Sequence, residues 1–127
     1  MAKRLGLLVD SDIFIEYFNH RLFRTLFESG EFRIYYSVVT KKELLSKQGL
    51  KSSEKKAIRD CLGRFRMVPL GQAILQEYSG LRSRFHAAGK EDCLVAATAL
   101  VKKFPLVTRN YRHYRIFQNL RLYFQDT

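Results

Sequence analysis

A short apolar run that ends in a carboxylate sets the terms for the rest of this chain. Leu5-Gly6-Leu7-Leu8-Val9 carries no charge and is followed at once by Asp10-Ser11-Asp12. Five apolar residues without polar alternation suit a strand covered on both faces, as in a parallel sheet between helices. Ligands of such sheets sit in the crevice beyond the carboxyl ends of the strands. Asp10 is therefore expected at that crevice, with Ser11 and Asp12 offering caps for a helix that begins near Ile13. A strand-ending turn explains a lone Asp equally well, so the company it keeps decides its meaning.

The rest of the chain alternates between strand and helix patterns. Ile13 to Phe18 and Leu22 to Phe27 carry apolar residues at helical spacing, and Gly30 suits the position after a helix end. Phe32 to Val39 is rich in β-formers. Thr40-Lys41-Lys42-Glu43 then has the form of a capping box that opens a helix. Gln48 to Lys51 reads as a loop, and Ser52 or Ser53 as the cap of a helix over Glu54 to Gly63. Phe65 to Leu70 is a short strand that Pro69 ends, and Gln72 to His86 is a long helix. Glu91 to Val101 is a helix with small residues on its packing face and acids in its first turn, where the helix dipole favours them. Phe104-Pro105 stops it, and Leu106-Val107-Thr108 forms a strand that ends in Arg109-Asn110. Leu120 to Phe124 is expected as a last edge strand. The order β, α, β, α, β, α, β predicts a three-layer α/β/α fold with a mostly parallel sheet, and 127 residues suit one domain over 1–127.

Charge selects the partner class. There are 23 Lys and Arg against 12 Asp and Glu, a formal net charge of +11, which favours nucleic acid or an acidic protein as partner. Lys51, Lys55, Lys56, Arg59 and Arg64 make one helix strongly basic on its exposed side. Arg109, Arg112, Arg115 and Arg121 face a single acid, Asp126, from Cys93 onward. Cys61 and Cys93 lie far apart among apolar residues and read as buried reduced thiols of a cytoplasmic protein. No signal peptide and no stretch of roughly 20 apolar residues is visible.

Three of the 12 acids, Asp10, Glu43 and Asp92, fall just after a strand or at the start of a helix bordering one crevice. Converging carboxylates repel unless cations lie between them. Oxygen donors without Cys or paired His specify Mg²⁺ or Mn²⁺. One or two such ions beside a basic surface point to cleavage of a nucleic-acid backbone.

On these residues the chain resembles the PIN domain family, and more narrowly the VapC-type toxin ribonucleases. Leu7 to Ile15 is similar to the family's opening strand, with Asp10 as first acid. Ser37 to Leu44 resembles the second motif through Glu43, Asp92 to Ala99 the third through Asp92, and Leu106 to Asn110 the fourth. The resemblance implies metal-dependent RNA cleavage, a homodimer, and neutralisation by a small antitoxin protein. Asp12, Thr108 and Asn110 are expected to complete the polar shell, and Arg109, Arg112 and Arg115 to contact RNA. Many members carry an acid three residues after the fourth-motif Asn; here that position is His113, read as a helical surface residue.

Two other readings compete. Asp10-Ser11-Asp12 fits the D-x-D of haloacid-dehalogenase phosphatases, with Asp10 as nucleophile and Asp12 as acid or base. That family normally wants Thr or Val where Phe14 stands, and a longer core. A non-catalytic RNA- or protein-binding module on a PIN-like fold is the second alternative, kept open by His113. Three carboxylates argue against it, because they weaken phosphate binding.

Overall fold

Four strands form a fully parallel sheet in a computed structural model that describes residues 4–124 and 127. The strands are β1 (Leu5–Val9), β2 (Phe32–Ser37), β3 (Arg66–Val68) and β4 (Leu106–Val107), in the spatial order β3-β2-β1-β4. The expectation for Asp126 lies outside the described residues.

The central place of β1 follows from its composition. Leu7, Leu8 and Val9 are almost wholly buried, because both faces of the strand meet helices. Leu7 and Val9 join a core with α1 (Ser11–His20), α2 (Arg24–Glu28), α3 (Val38–Leu45) and α4 (Ser52–Leu62). Leu8 joins the opposite core with α5 (Gln72–Arg84), α6 (Lys90–Lys102) and α7 (Tyr111–Tyr114). The result is the expected three-layer α/β/α arrangement. Gly6 is needed where it stands: a Cβ there would lie 2.9 Å from the Phe104 ring, which stacks on Tyr35 at 4.3 Å. Cys61 and Cys93 are buried free thiols.

Connection order places the crevice. The chain moves from β1 to β2 to β3 on one side, then returns to lay β4 on the other side of β1. The carboxyl ends of β1 and β4 thus flank a topological switch point, where open α/β sheets bind ligands.

Several boundaries differ from the sequence expectations, each for a local reason. Helix α1 begins at Ser11, because Asp10 itself is the N-cap and its Oδ1 accepts the Ser11 N–H at 2.9 Å. Thr40 and Glu43 form no capping box. Strand β2 ends at Ser37, whose Oγ accepts the Thr40 N–H at 3.2 Å, so α3 starts at Val38 and Glu43 falls in its second turn. Neither Ser52 nor Ser53 caps α4; Lys51 is the N-cap, and its N–H donates to Glu54 Oε1 at 3.1 Å. Leu120 to Phe124 makes one parallel bridge, Leu122 to Leu106, instead of a strand.

Candidate active site

Beyond the ends of β1 and β4 lies an open cleft of about 470 Å³. Its lining includes Asp10, Asp12, Glu43, Glu91, Asp92 and His113. Five of the chain's 12 acids therefore meet in one place on a protein of net charge +11. Such a concentration of like charge in a basic chain needs a counter-charge.

Asp10 forms the buried wall. It is 7 % exposed and is held on both oxygens: Oδ1 by the Ser11 N–H, and Oδ2 by the Thr108 hydroxyl at 2.8 Å. Thr108 in turn accepts the Asn110 N–H at 3.0 Å, which ties the end of β4 to the end of β1. Burial above all, then the Asp12 carboxylate, pushes the Asp10 carboxyl up to about 7. Burial raises Asp12 as well. Asp12 Oδ2 accepts the Arg109 N–H at 2.9 Å, whereas its Oδ1 is buried without a partner among the described residues. With one oxygen fixed to the backbone, Asp12 is poorly placed as the mobile acid of a D-x-D phosphatase.

The facing wall is more open. Asp92 sits in the first turn of α6, with Oδ1 accepting from the Tyr114 hydroxyl at 3.3 Å and Oδ2 lying 3.0 Å from His113 Nδ1. Burial and the carboxylates of Asp10 and Asp92 hold Tyr114 protonated, so it remains a donor. Glu43 projects from α3, and burial followed by Glu91 and Asp92 raises its carboxyl above the ordinary range.

Among the sequence-predicted residues, the cleft lining joins Asp10, Asp12, Glu43, Asp92 and Asn110, and Thr108 braces it from behind. Arg109, Arg112 and Arg115 are exposed beside the cleft and do not line it; Arg109 pairs with Glu16 at 3.3 Å. Three residues escaped the sequence reading. Glu91 reads from the sequence as an acid favoured by the helix dipole and His113 as a surface residue, and Tyr114 is given no role there. The signal for His113 and Tyr114 was their spacing from Asn110, which carries one face of a short helix back toward Asp92.

The donor set suits a hard cation. Every acid supplies oxygen, and Asp12 Oδ1 is a buried acceptor in need of a positive partner. Among the described residues, no three His, Cys, Asp or Glu side chains stand close enough together to hold an ion between them. An ion there would take only part of its coordination shell from the protein and the rest from water and phosphate, an arrangement that suits Mg²⁺.

Comparison with known proteins agrees with this geometry. Ribonuclease VapC10 of Mycobacterium tuberculosis is 30% identical over 89 residues, which cover 67% of this chain and 65% of that protein. The match thus spans just under two thirds of the curated relative's length. Among solved structures, VapBC of Salmonella typhimurium bound to DNA superposes with a TM-score of 0.85 at 17% identity, covering 94% of this chain and 97% of the other. VapBC2 of Rickettsia felis bound to a promoter DNA fragment gives 0.82 at 21%, covering 96% and 100%. VapBC-1 of nontypeable Haemophilus influenzae gives 0.79 at 20%, covering 96% and 98%. These structures share the fold. The PIN domain family model matches residues 7–117, and the chain belongs to the PIN domain family.

Proposed function

We propose that this protein is a divalent-metal-dependent endoribonuclease, the toxin of a toxin–antitoxin pair, acting in the cytoplasm. The observation that carries the reading is the crowding of five carboxylates into one cleft of a basic protein. Its relative Ribonuclease VapC10 supports RNA as the substrate class.

Asp10, Glu43 and Asp92 would hold Mg²⁺ or Mn²⁺ together with bound water, not all three touching the ion directly. When bound, such an ion supplies Lewis acidity at the scissile phosphate and activates water for attack. The chain's own groups do the positioning. Thr108 and the Ser11 N–H fix both oxygens of Asp10, so that carboxylate needs no reorganisation when substrate arrives. Tyr114 orients Asp92 from below. Arg109, Arg112 and Arg115, exposed beside the cleft, supply positive charge for the flanking phosphates.

A partner surface adjoins the site. A groove of about 380 Å³, lined by Tyr17, Phe18, Leu44, Leu50 and Ile58, shares Ile15 and Glu43 with the cleft. It suits the apolar face of an antitoxin segment, and the structural neighbours VapBC2 and VapBC-1 support a partner of that kind. A homodimer is part of the same reading.

The test is cleavage of labelled RNA by the purified chain in Mg²⁺ or Mn²⁺ and in EDTA. We expect cleavage only with the divalent ion. Tight RNA binding with no cleavage under any condition would contradict the enzyme and assign a binding module.

A further inference from the structure

The amino end of the sheet is the electrostatic opposite of its carboxyl end. A pocket of about 280 Å³ opens there, lined by Arg4, Arg33, Arg64 and Arg66 and, among the described residues, by no Asp or Glu. All four arginines are exposed, and none forms an ion pair among the described residues.

Strand register makes this pocket. β3 pairs only with Tyr35, Tyr36 and Ser37, so Phe32 to Ile34 has no strand beside it on that side of β2. A notch about 10 Å long is left at the edge. Arg66 stands opposite Tyr35, and Arg33 lies two residues before Tyr35, so both arginines belong to one face of the sheet. Their Cα atoms lie on a diagonal about 8 Å apart. Arg33 Nε donates to the Arg4 carbonyl at 3.2 Å, and the Arg64 guanidinium lies 5.6 Å from the centre of the Phe65 ring. Like charges so placed repel unless an anion lies among them. Three residues of open edge are fewer than an ordinary strand of about five or six needs, so the notch does not fit an added peptide strand. Phosphates fit it: each guanidinium fork can take two oxygens, and a nucleic-acid backbone presents a charge at every residue.

We propose that this arginine notch is a second contact for the RNA backbone, at the end of the sheet opposite the cleft, and that it favours folded RNA. The proposal rests on the RNA reading above. The five residues of β1 separate the notch from Asp10 by about 17 Å. An RNA confined to the cleft stops short of the notch, whereas a hairpin whose loop enters the cleft brings its stem phosphates round the sheet edge.

The experiment is fluorescence-anisotropy titration, in EDTA so that cleavage plays no part, of two labelled hairpins with one loop and stems of three and ten base pairs. A salt series is run for each. Arg33→Gln/Arg66→Gln is expected to bind the long hairpin about tenfold or more weakly, with a salt slope smaller by about 2, and to bind the short hairpin within about twofold of wild type. Arg33→Lys/Arg66→Lys is expected to keep the slope. Lys56→Gln/Arg59→Gln, which removes the same charge from α4, is expected to bind both hairpins within about twofold of wild type. If the Arg33/Arg66 variants fail to fold, Arg4→Gln, outside the strands, must lower the slope for the long hairpin by about 1. Wild-type affinity and slope in a folded Arg33→Gln/Arg66→Gln variant overturn the proposal and leave the cleft reading intact. Equal losses for both hairpins, or in the α4 variant, overturn it as well, because only the general field would then be felt. Loss of binding to poly-glutamate with RNA binding unchanged overturns it in favour of an acidic protein partner. Failure of wild type to bind either hairpin overturns the RNA reading itself.

Discussion

The two walls of the cleft are built on different principles. Asp10 is buried, bonded on both oxygens and part of the joint between β1 and β4, so its chemistry is bound up with the stability of the fold. Asp92 and His113 stand on the first turn of α6 and on the short α7, with side chains 27% and 58% exposed. The contrast teaches that one cluster of carboxylates can be half scaffold and half surface. A buried carboxylate acquires rigidity at a cost in stability, because desolvation and like charge penalise its ionised form. A surface carboxylate costs the fold little, and it relies on neighbours such as Tyr114 for its orientation.

The largest expected effect belongs to the buried wall. Asp10→Asn should reduce cleavage at least about a hundredfold, measured by initial rates on labelled RNA. The same variant should be more stable than wild type at pH 8 in EDTA. The folded Asp10 carboxyl keeps its proton up to about 7, against an ordinary value of 3.8. Between those values the folded state holds more protons than the unfolded, so this contribution is full below pH 4 and is lost as pH rises through 7. Urea unfolding at pH 5 and pH 8 should show wild type losing stability relative to Asp10→Asn, on the order of 3 kcal/mol. A flat difference across that range would mean that Asp10 is not strained in the absence of a cation.

Asp92→Asn should match the loss of cleavage without the stability signature. Its unfolding free energy is expected within about 1 kcal/mol of wild type at both pH values, because an amide oxygen still accepts from Tyr114. A change in stability like that of Asp10→Asn would erase the contrast between the walls. Thr108→Val tests the brace behind the buried wall. It removes the hydroxyl that donates to Asp10 and accepts from Asn110, and should cost about 1–2 kcal/mol by denaturant titration.

The smallest effect is expected at the rim. Arg109→Ala breaks an exposed pair with Glu16, worth at most about 0.5 kcal/mol. RNA affinity should fall severalfold with a salt slope smaller by about 1, read by filter binding across a salt series. An unchanged slope would remove Arg109 from the phosphate-contacting set.

What the sequence disclosed follows the same division. The buried wall was legible because Leu5 to Val9 can be little else than a covered strand, and the residue after it must stand at the crevice. Alternation of strand and helix patterns carried the parallel sheet in the same way. Legibility failed where short polar residues compete for a role. Thr40 and Glu43 satisfy a capping-box pattern, yet Ser37 takes the cap, and Glu43 is released to the cleft. His113 and Tyr114 were hidden because their meaning depends on where a four-residue helix lies against α6, a tertiary fact with no periodic signal. Glu91 was masked by an adequate local explanation.

The account turns on one shared cation site made by carboxylates from both walls. Its most direct test is calorimetric titration of Mn²⁺ into wild type, Asp10→Asn and Asp92→Asn at pH 8. The account predicts saturable binding by wild type and a loss of at least about tenfold in affinity in each variant. Equal affinity in all three proteins would contradict it, because the two walls would then hold no ion in common.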